Sequence, residues 1–521
     1  MRFKKQTSYL KSYRRNKEKI NNDSQLISKR ITINVDRLKQ ELGNCSDLVI
    51  REFKIAPKKG VIAHIDGISD TKIVSQFILS PLQSISFEEV KNNTDLEVMT
   101  NTFKKHVAIS DINEVDDWNE LVQALLFGDT VILLDGSLKA LVASTRSLES
   151  RSVTEPTTQT LIRGPKDSFT ESLRTNTSLI RARIASPSLR IDALTIGEIS
   201  NTSIAILYIE NIAKNETVQN VKNKLQSISI DGVLESGYIE SFIQDKKFSI
   251  FPTILNTERP DVVSANLLEG RVAILVNGTP FALTVPTTFF QFFQSPEDYF
   301  EKYEIGTLLR TLRIIAFFIA FLTPAIYIAL ITQHQAMIPT ILIISIAAQR
   351  EGVPLPTIVE AMILEIAFEL LREAGVRMPK AVGQAGAIVG ALILGQTAVQ
   401  AGLVSAATII VVAITAIASF TIPYYNMAIT ARILRFIFMI AASYMGLYGI
   451  VLLLLTIGAY LCKLSSFGVP YLSPVAPFIL DEQKDTFLRL PWNLMKKRPS
   501  TAKEKNKNRL NSKNGEPDEA N

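Results

Sequence analysis

From Ala381 to Ala431 the chain reads AVGQAGAIVGALILGQTAVQAGLVSAATIIVVAITAIASFTIPYYNMAITA, 51 residues without one Lys, Arg, Asp or Glu. A helix needs about 20 apolar residues to cross the hydrocarbon core of a bilayer. The run therefore has room for two crossings. Uncharged runs also cover 314–349, 436–462 and 464–480, whereas charges are spread throughout the first 310 residues. This division predicts a soluble α/β region followed by an all-α polytopic membrane bundle at 311–480 and a charged tail at 481–521. A chain of 521 residues is also too long for one simple core.

The N-terminal residues 1–44 read as a basic extension. Residues 1–30 hold ten Lys or Arg against two Asp or Glu, with no apolar segment of the secretory kind. A basic flank of this sort is expected to stay cytoplasmic. The first span is predicted at Leu312–Thr332, with Arg310 and Arg313 marking its cytoplasmic start and Pro324 kinking it. Gln333–Pro339 reads as the external turn. Val404–Pro423 is the next clear span, Arg432 and Arg435 return the chain to the cytoplasmic side, and Phe436–Leu461 follows as one crossing. The apolar stretch 464–480 is broken by Gly468, Pro470, Pro474 and Pro477 and is expected to be an irregular or re-entrant return. The tail from 496 carries eight Lys or Arg and four Asp or Glu, so it too is placed in the cytoplasm, which requires an even number of crossings.

Two hairpins are legible in the soluble half. Asp135-Gly136 and Asn277-Gly278 each separate two apolar runs, the pattern of a tight type I′ turn. Val61–Ile65 and Ala205–Ile209 form a second matching pair, each a strand pattern leading into a polar helix start. The two pairs are offset by 144 and 142 residues. Nearly equal offsets predict one α/β unit occurring twice, in subdomains 45–165 and 166–310; chance recurrence of two common patterns is the alternative. Between the copies, Arg163, Arg181 and Arg183 are candidates for a domain or subunit interface, and Arg163-Gly164-Pro165 for an anion contact.

Two segments of the bundle carry candidate sites. In the helix-like stretch Thr357–Ala374, Glu365, Glu369 and Glu373 form an i,i+4 row. Such a row lies at the interface or lines a wet cavity, but does not face lipid. Further on, Gly386, Gly390, Ala398 and Gly402 form a small-residue row that lets helices approach closely. Gln384, Ile388, Leu392 and Gln396, with Val399, place apolar side chains between amides, the pattern of a hydrophobic gate in a pore. Ordinary packing with interhelical glutamine hydrogen bonds explains the same residues. Cys45 and Cys462 stand far apart, the three histidines are isolated, and no nucleotide-binding, hydrolase or kinase motif occurs. No catalytic residue, metal, cofactor or nucleic-acid partner is expected.

Several stretches together resemble the A-type subunits of the GerA family of spore germinant receptors. They are Glu155-Pro156 with Arg163-Gly164-Pro165, Asn176 with Leu179 to Arg183, Leu371 to Gly375 with Arg377 and Pro379, Ile388 to Gln396, and Ser466 to Tyr471 with Ser473 to Pro477. The resemblance covers roughly 45–495. It implies a multi-pass protein of the spore inner membrane that acts with a transporter-like B subunit and a lipoprotein C subunit. It further implies a homo-oligomer that opens as a nutrient-gated cation channel. A non-conducting scaffold between the transporter-like subunit and downstream partners is the alternative.

Overall fold

The computed structural model describes residues 26–55, 58–84, 104, 106–109, 111–146, 155–378, 393–499 and 508–509. Its N-terminal part contains two five-stranded antiparallel sheets of the same topology, ordered β1-β2-β4-β5-β3 and β6-β7-β9-β10-β8. The first comprises β1 (Leu48–Ile55), β2 (Lys58–Ile65), β3 (Ile112–Val115), β4 (Thr130–Leu134) and β5 (Ala140–Ala143). The second comprises β6 (Leu189–Ile196), β7 (Thr202–Ile209), β8 (Leu255–Thr257), β9 (Val272–Val276) and β10 (Ala282–Val285).

Strands β4, β5, β9 and β10 are buried at every position because helices cover both faces of each sheet. In the first unit, Val61, Ala63, Val131, Leu133 and Ala140 meet helices Ile31–Leu42 and Trp118–Leu126. The alternate residues Ile62, Ile132, Leu134 and Leu141 meet Val74, Ile78 and Leu82 on the other side. The second unit repeats this division. Ala205, Leu207, Ala273, Leu275 and Ala282 meet helices Leu173–Arg183 and Pro260–Leu268. Ile204, Ile206, Ile274 and Leu283 meet helices Asn215–Gln226 and Ser236–Ile243.

The same hydrogen bonds recur in both copies. Gly136 N–H donates to Lys29 and Gly278 N–H to Glu171. The Asp135 carboxylate accepts the Ile31 N–H, and the Asn277 side-chain carbonyl accepts that of Leu173. Asn34 closes a loop with Ser28 as Asn176 does with Thr170. Helix Ile31–Leu42 is thus built into the first unit, although the sequence division leaves it in the basic extension. The turns differ from the tight type expected. Five residues separate β4 from β5, and only the glycine takes positive φ, 90° at Gly136 and 92° at Gly278. The residue before the glycine caps the first helix of its unit, which holds it out of the left-handed region a type I′ turn requires.

The C-terminal half is a helical bundle. Its helices are Tyr303–Thr332, Thr340–Arg350, Thr357–Arg377, Ala406–Phe420 and Tyr425–Lys463, with short turns at Ile393–Thr397 and Ala398–Gln400. Helices 303–332 and 425–463 are each long and apolar enough to cross a membrane. Helix 425–463 is in truth a hairpin, not a turn followed by one crossing at 436–461. Gly446 sits at φ 60°, ψ −143°, and Gly449 packs on the Ala441 carbonyl. A Cβ on Gly446 would stand 2.5 Å from the His334 ring, so the fold-back lies at the far end of helix 303–332. Small residues permit the close approach of these helices: Ala316, Ala320, Ala325 and Ala329 on one, Ala428, Ala431 and Ala442 on the other, all buried.

The second α/β unit is fused to the near end of the bundle. Phe289, Phe292 and Phe293 continue its core into Phe317 and Tyr424. Arg310 and Arg313 do not mark a water-facing flank; both are buried against Asp298, and Arg310 also pairs with Asp485. The segment expected to be re-entrant packs on this same unit. Ser466 donates to the Thr253 carbonyl, Tyr471 to that of Pro252, and Phe467 is buried in the sheet's core. Pro and Gly break the stretch because it forms loops and a two-residue ladder there, Ser465–Ser466 on Val469–Pro470. The N-terminal units and residues 464–499 therefore share one end of the bundle.

Candidate functional site

Helix 357–377 places four acids on an apolar bundle, spaced so that they follow one another along its length. The far-end member is Glu360, fully buried; it accepts the Ser405 N–H, and its second oxygen lies 3.9 Å from Arg350 with no hydrogen-bond partner among the described residues. Glu365, also fully buried, pairs with Arg435 and accepts the Thr415 hydroxyl at 3.1 Å. Glu369 joins Arg432 at 3.0 Å and Arg372 at 3.4 Å. Glu373, exposed at the near end, pairs with Arg377. Glu360, Glu365 and Glu369 thus face helices 406–420 and 425–463, and each acid of the row has a cationic neighbour.

Arg435, fully buried like Glu360 and Glu365, is seated by a proline. In a helix the carbonyl of residue 320 would accept the N–H of residue 324, but Pro324 has none. The Ala320 carbonyl is therefore free, and it takes the Arg435 Nε–H at 2.8 Å. Arg435 thus joins helix 303–332 to helix 357–377 through one guanidinium. Its Nη2 has no hydrogen-bond partner among the described residues. Arg435 was expected to mark the cytoplasmic boundary. It lies inside the bundle instead, because the acid 70 positions earlier supplies the countercharge.

Beside this row lies a short hydroxyl relay at the far end. Ser405 and Thr408 oxygens stand 2.9 Å apart, and Tyr327 reaches Thr408 at 3.2 Å. Arg372, nearer the α/β units, donates to Ser419 at 2.8 Å and stacks on Phe368 and Phe420. The arrangement can hold charge inside an apolar bundle and can re-pair if a helix shifts. The described residues contain no group of His, Cys, Asp and Glu able to hold a metal.

The other candidates fall elsewhere. Gln384, Gly386, Ile388, Gly390 and Leu392 lie outside the described residues. Gln396 is exposed, while Ala398 and Val399 are half-buried. Gly402 takes φ 65°, and a Cβ there would come 3.1 Å from the Gly352 carbonyl. Arg181 is fully buried and forms a bidentate pair with Asp47 of the first unit, so it joins the two units of this chain. Arg183 pairs with Asp167, and the exposed Arg163 stands 3.6 Å from Glu301. The sequence shows Glu360 as an acid of the same stretch but leaves it outside the i,i+4 row, and it misses the place of Arg435 and the freed Ala320 carbonyl. The carbonyl had a signal, since a proline inside a helix frees the carbonyl four residues before it.

Residues 36–501 match the family described as Bacillus/Clostridium GerA spore germination protein. The chain is 47% identical to spore germination protein KA of Bacillus subtilis (strain 168), covering 92% of this chain and 88% of that one. It is 41% identical to spore germination protein GerLA of Bacillus cereus, covering 89% and 93%. The crystal structure of the N-terminal domain of the A subunit of the Bacillus megaterium spore germinant receptor GerK3 aligns at 35% identity, covering 51% of this chain and 97% of that one, with a TM-score of 0.41. That score is too low to bear on the fold, which stands on the strand pairing above.

Proposed function

Since this chain belongs to the GerA family of spore germination proteins, we propose that it is the membrane subunit of a germinant receptor and that its bundle provides a cation path. In this reading the path is held shut by the buried acid row. The chain acts in the spore inner membrane with a transporter-like B subunit and a lipoprotein C subunit, and assembles with copies of itself. Its two α/β units and residues 464–499 face the cytoplasm. The observation that supports the reading is the Glu365–Arg435–Ala320 clasp: ionisable groups inside an apolar bundle are costly and mark ion or proton routes. A shift of helix 357–377 on nutrient binding elsewhere in the receptor would unpair the clasp and open the route.

Residues 381–403 supply the constriction in this proposal, with Ile388, Leu392 and Val399 as the dry ring and Gln384 and Gln396 at its mouths. Gly386, Gly390 and Ala398 form the packing face between copies, while Gly402, past the helix end at φ 65°, packs on Gly352 of its own chain. The scaffold reading has one observation in its favour: every described acid of the row already has a cationic neighbour within the chain. Current in planar bilayers separates channel from scaffold, and spontaneous germination, scored beside protein level, separates a gate at 381–403 from simple packing there. Leu392→Ala and Val399→Ala are expected to germinate without nutrient at normal protein level. Normal levels without any leak would remove the ring from the account, and loss of protein would indicate simple packing at those positions.

A further inference from the structure

The loop after helix Ser236–Ile243 places an aromatic ring in solvent at the edge of the bundle. Phe248 is 99% exposed, and Ile250 in the same loop and Phe242 near the end of the preceding helix are also exposed. The loop itself is firmly held. The Ile250 carbonyl accepts the Thr430 hydroxyl at 2.7 Å, at the start of helix 425–463. Ser249 accepts from the Tyr460 hydroxyl at 3.1 Å, one turn before that helix ends, and Phe251 packs on the Tyr460 ring. Phe248 is therefore presented at the level where both arms of the hairpin reach the near end of the bundle. Lys246 lies over Tyr460 at 5.1 Å, and Lys247 and Lys463 are exposed beside it.

An exposed phenylalanine, a tyrosine and lysines at one level of an apolar bundle match the interface of a bilayer. Aromatic side chains settle among headgroups, and lysines attract the anionic ones. Along the hairpin, away from the loop, Ile433, Ile437, Leu452 and Leu455 are exposed, the faces that would meet acyl chains. We propose that the 246–250 loop docks the second α/β unit onto the anionic headgroup layer, with Phe248 inserted. This rests on the reading that the bundle spans a membrane. It makes the lipid surface a second attachment of the soluble region, beside its covalent and packed junction at residues 289–313.

The test uses the full chain in nanodiscs made with and without anionic lipid. A spin label is placed at Phe248→Cys in a Cys462→Ser background, Cys45 being buried. Collision with oxygen and with a water-soluble nickel chelate is compared with labels at Leu455→Cys on the hairpin and Leu138→Cys on the first unit. The label at 248 is expected to be reached by oxygen and shielded from nickel, as at 455 and unlike 138. The shielding should weaken in neutral lipid and with Lys246→Glu/Lys247→Glu. Nickel access at 248 equal to that at 138, with 455 in lipid, overturns the docking and leaves the spanning bundle standing. Shielding at 248 from both reagents identifies a protein contact and overturns it as well. Nickel access at 455 removes both.

Discussion

Arg435 and Glu365 decide what single substitutions do inside the bundle. Removing one member of a buried ion pair leaves an uncompensated charge, at a cost of about 3–5 kcal/mol, whereas apolar replacement of both is often neutral. Glu365→Leu should therefore lower the melting temperature in detergent strongly, and Glu365→Leu/Arg435→Met should recover most of it; equal losses in the single and double variants would mean the pair is not coupled. Pro324→Ala has two opposed effects. It restores a helical N–H worth about 3 kcal/mol where proline interrupts a helix. It also takes the Ala320 carbonyl from Arg435, a charged hydrogen bond worth about 1.5–3 kcal/mol. We expect a near-neutral melting shift, and a gain of the full proline value would show that Arg435 does not need that carbonyl. Outside the bundle, burial and the neighbouring charge of Glu235 push the half-buried Glu240 carboxyl up to about 7 from 4.5. The folded state then holds this proton more tightly than the unfolded one, so stability falls as pH rises from about 4.5 through about 7. Glu240→Gln should flatten that slope and raise the melting temperature at pH above about 8. Parallel pH profiles for both proteins would contradict it.

Among the elements, the helical hairpin 425–463 depends on two glycines. Gly446 needs positive φ and has His334 where a Cβ would go, and at Gly449 a Cβ would stand 2.7 Å from the Ala441 carbonyl. Gly446→Ala should cost at least the roughly 1–2 kcal/mol of a left-handed residue, while Gly458→Ala, with open space around it, should be tolerated. Equal melting temperatures for these variants would argue against the fold-back. The uncharged run 436–462 could not reveal this hairpin, because hydropathy is blind to a reversal inside an apolar segment and the glycines at 446 and 449 are its marks. The strands were more legible. Asp135-Gly136 and Asn277-Gly278 exposed both hairpins, and the 61–65 and 205–209 runs exposed the repeat. The helix before each sheet was hidden, since Asn34 and Asn176 declare their shared role only through loops they close in three dimensions. The acid row was visible as spacing at Glu365, Glu369 and Glu373. Its meaning was not, because Arg432 and Arg435 are distant in sequence and read equally well as boundary charges.

For the whole molecule, the position of residues 464–499 on the second α/β unit ties both ends of the bundle's chain path to one side. Cysteines at 136 and 498, in a Cys462→Ser background, are therefore expected to share one response to a membrane-impermeant reagent in intact cells, both protected. Modification of one alone would break the shared-side arrangement. The central claim is that the chain conducts cations and that the Arg435 clasp keeps the path shut. Purified oligomers in planar bilayers test it most directly. The account predicts rare cation-selective openings from the wild type and frequent ones from Glu365→Leu/Arg435→Met at equal oligomer content. Well-folded oligomers of both proteins that carry no current would contradict it and leave the chain a scaffold.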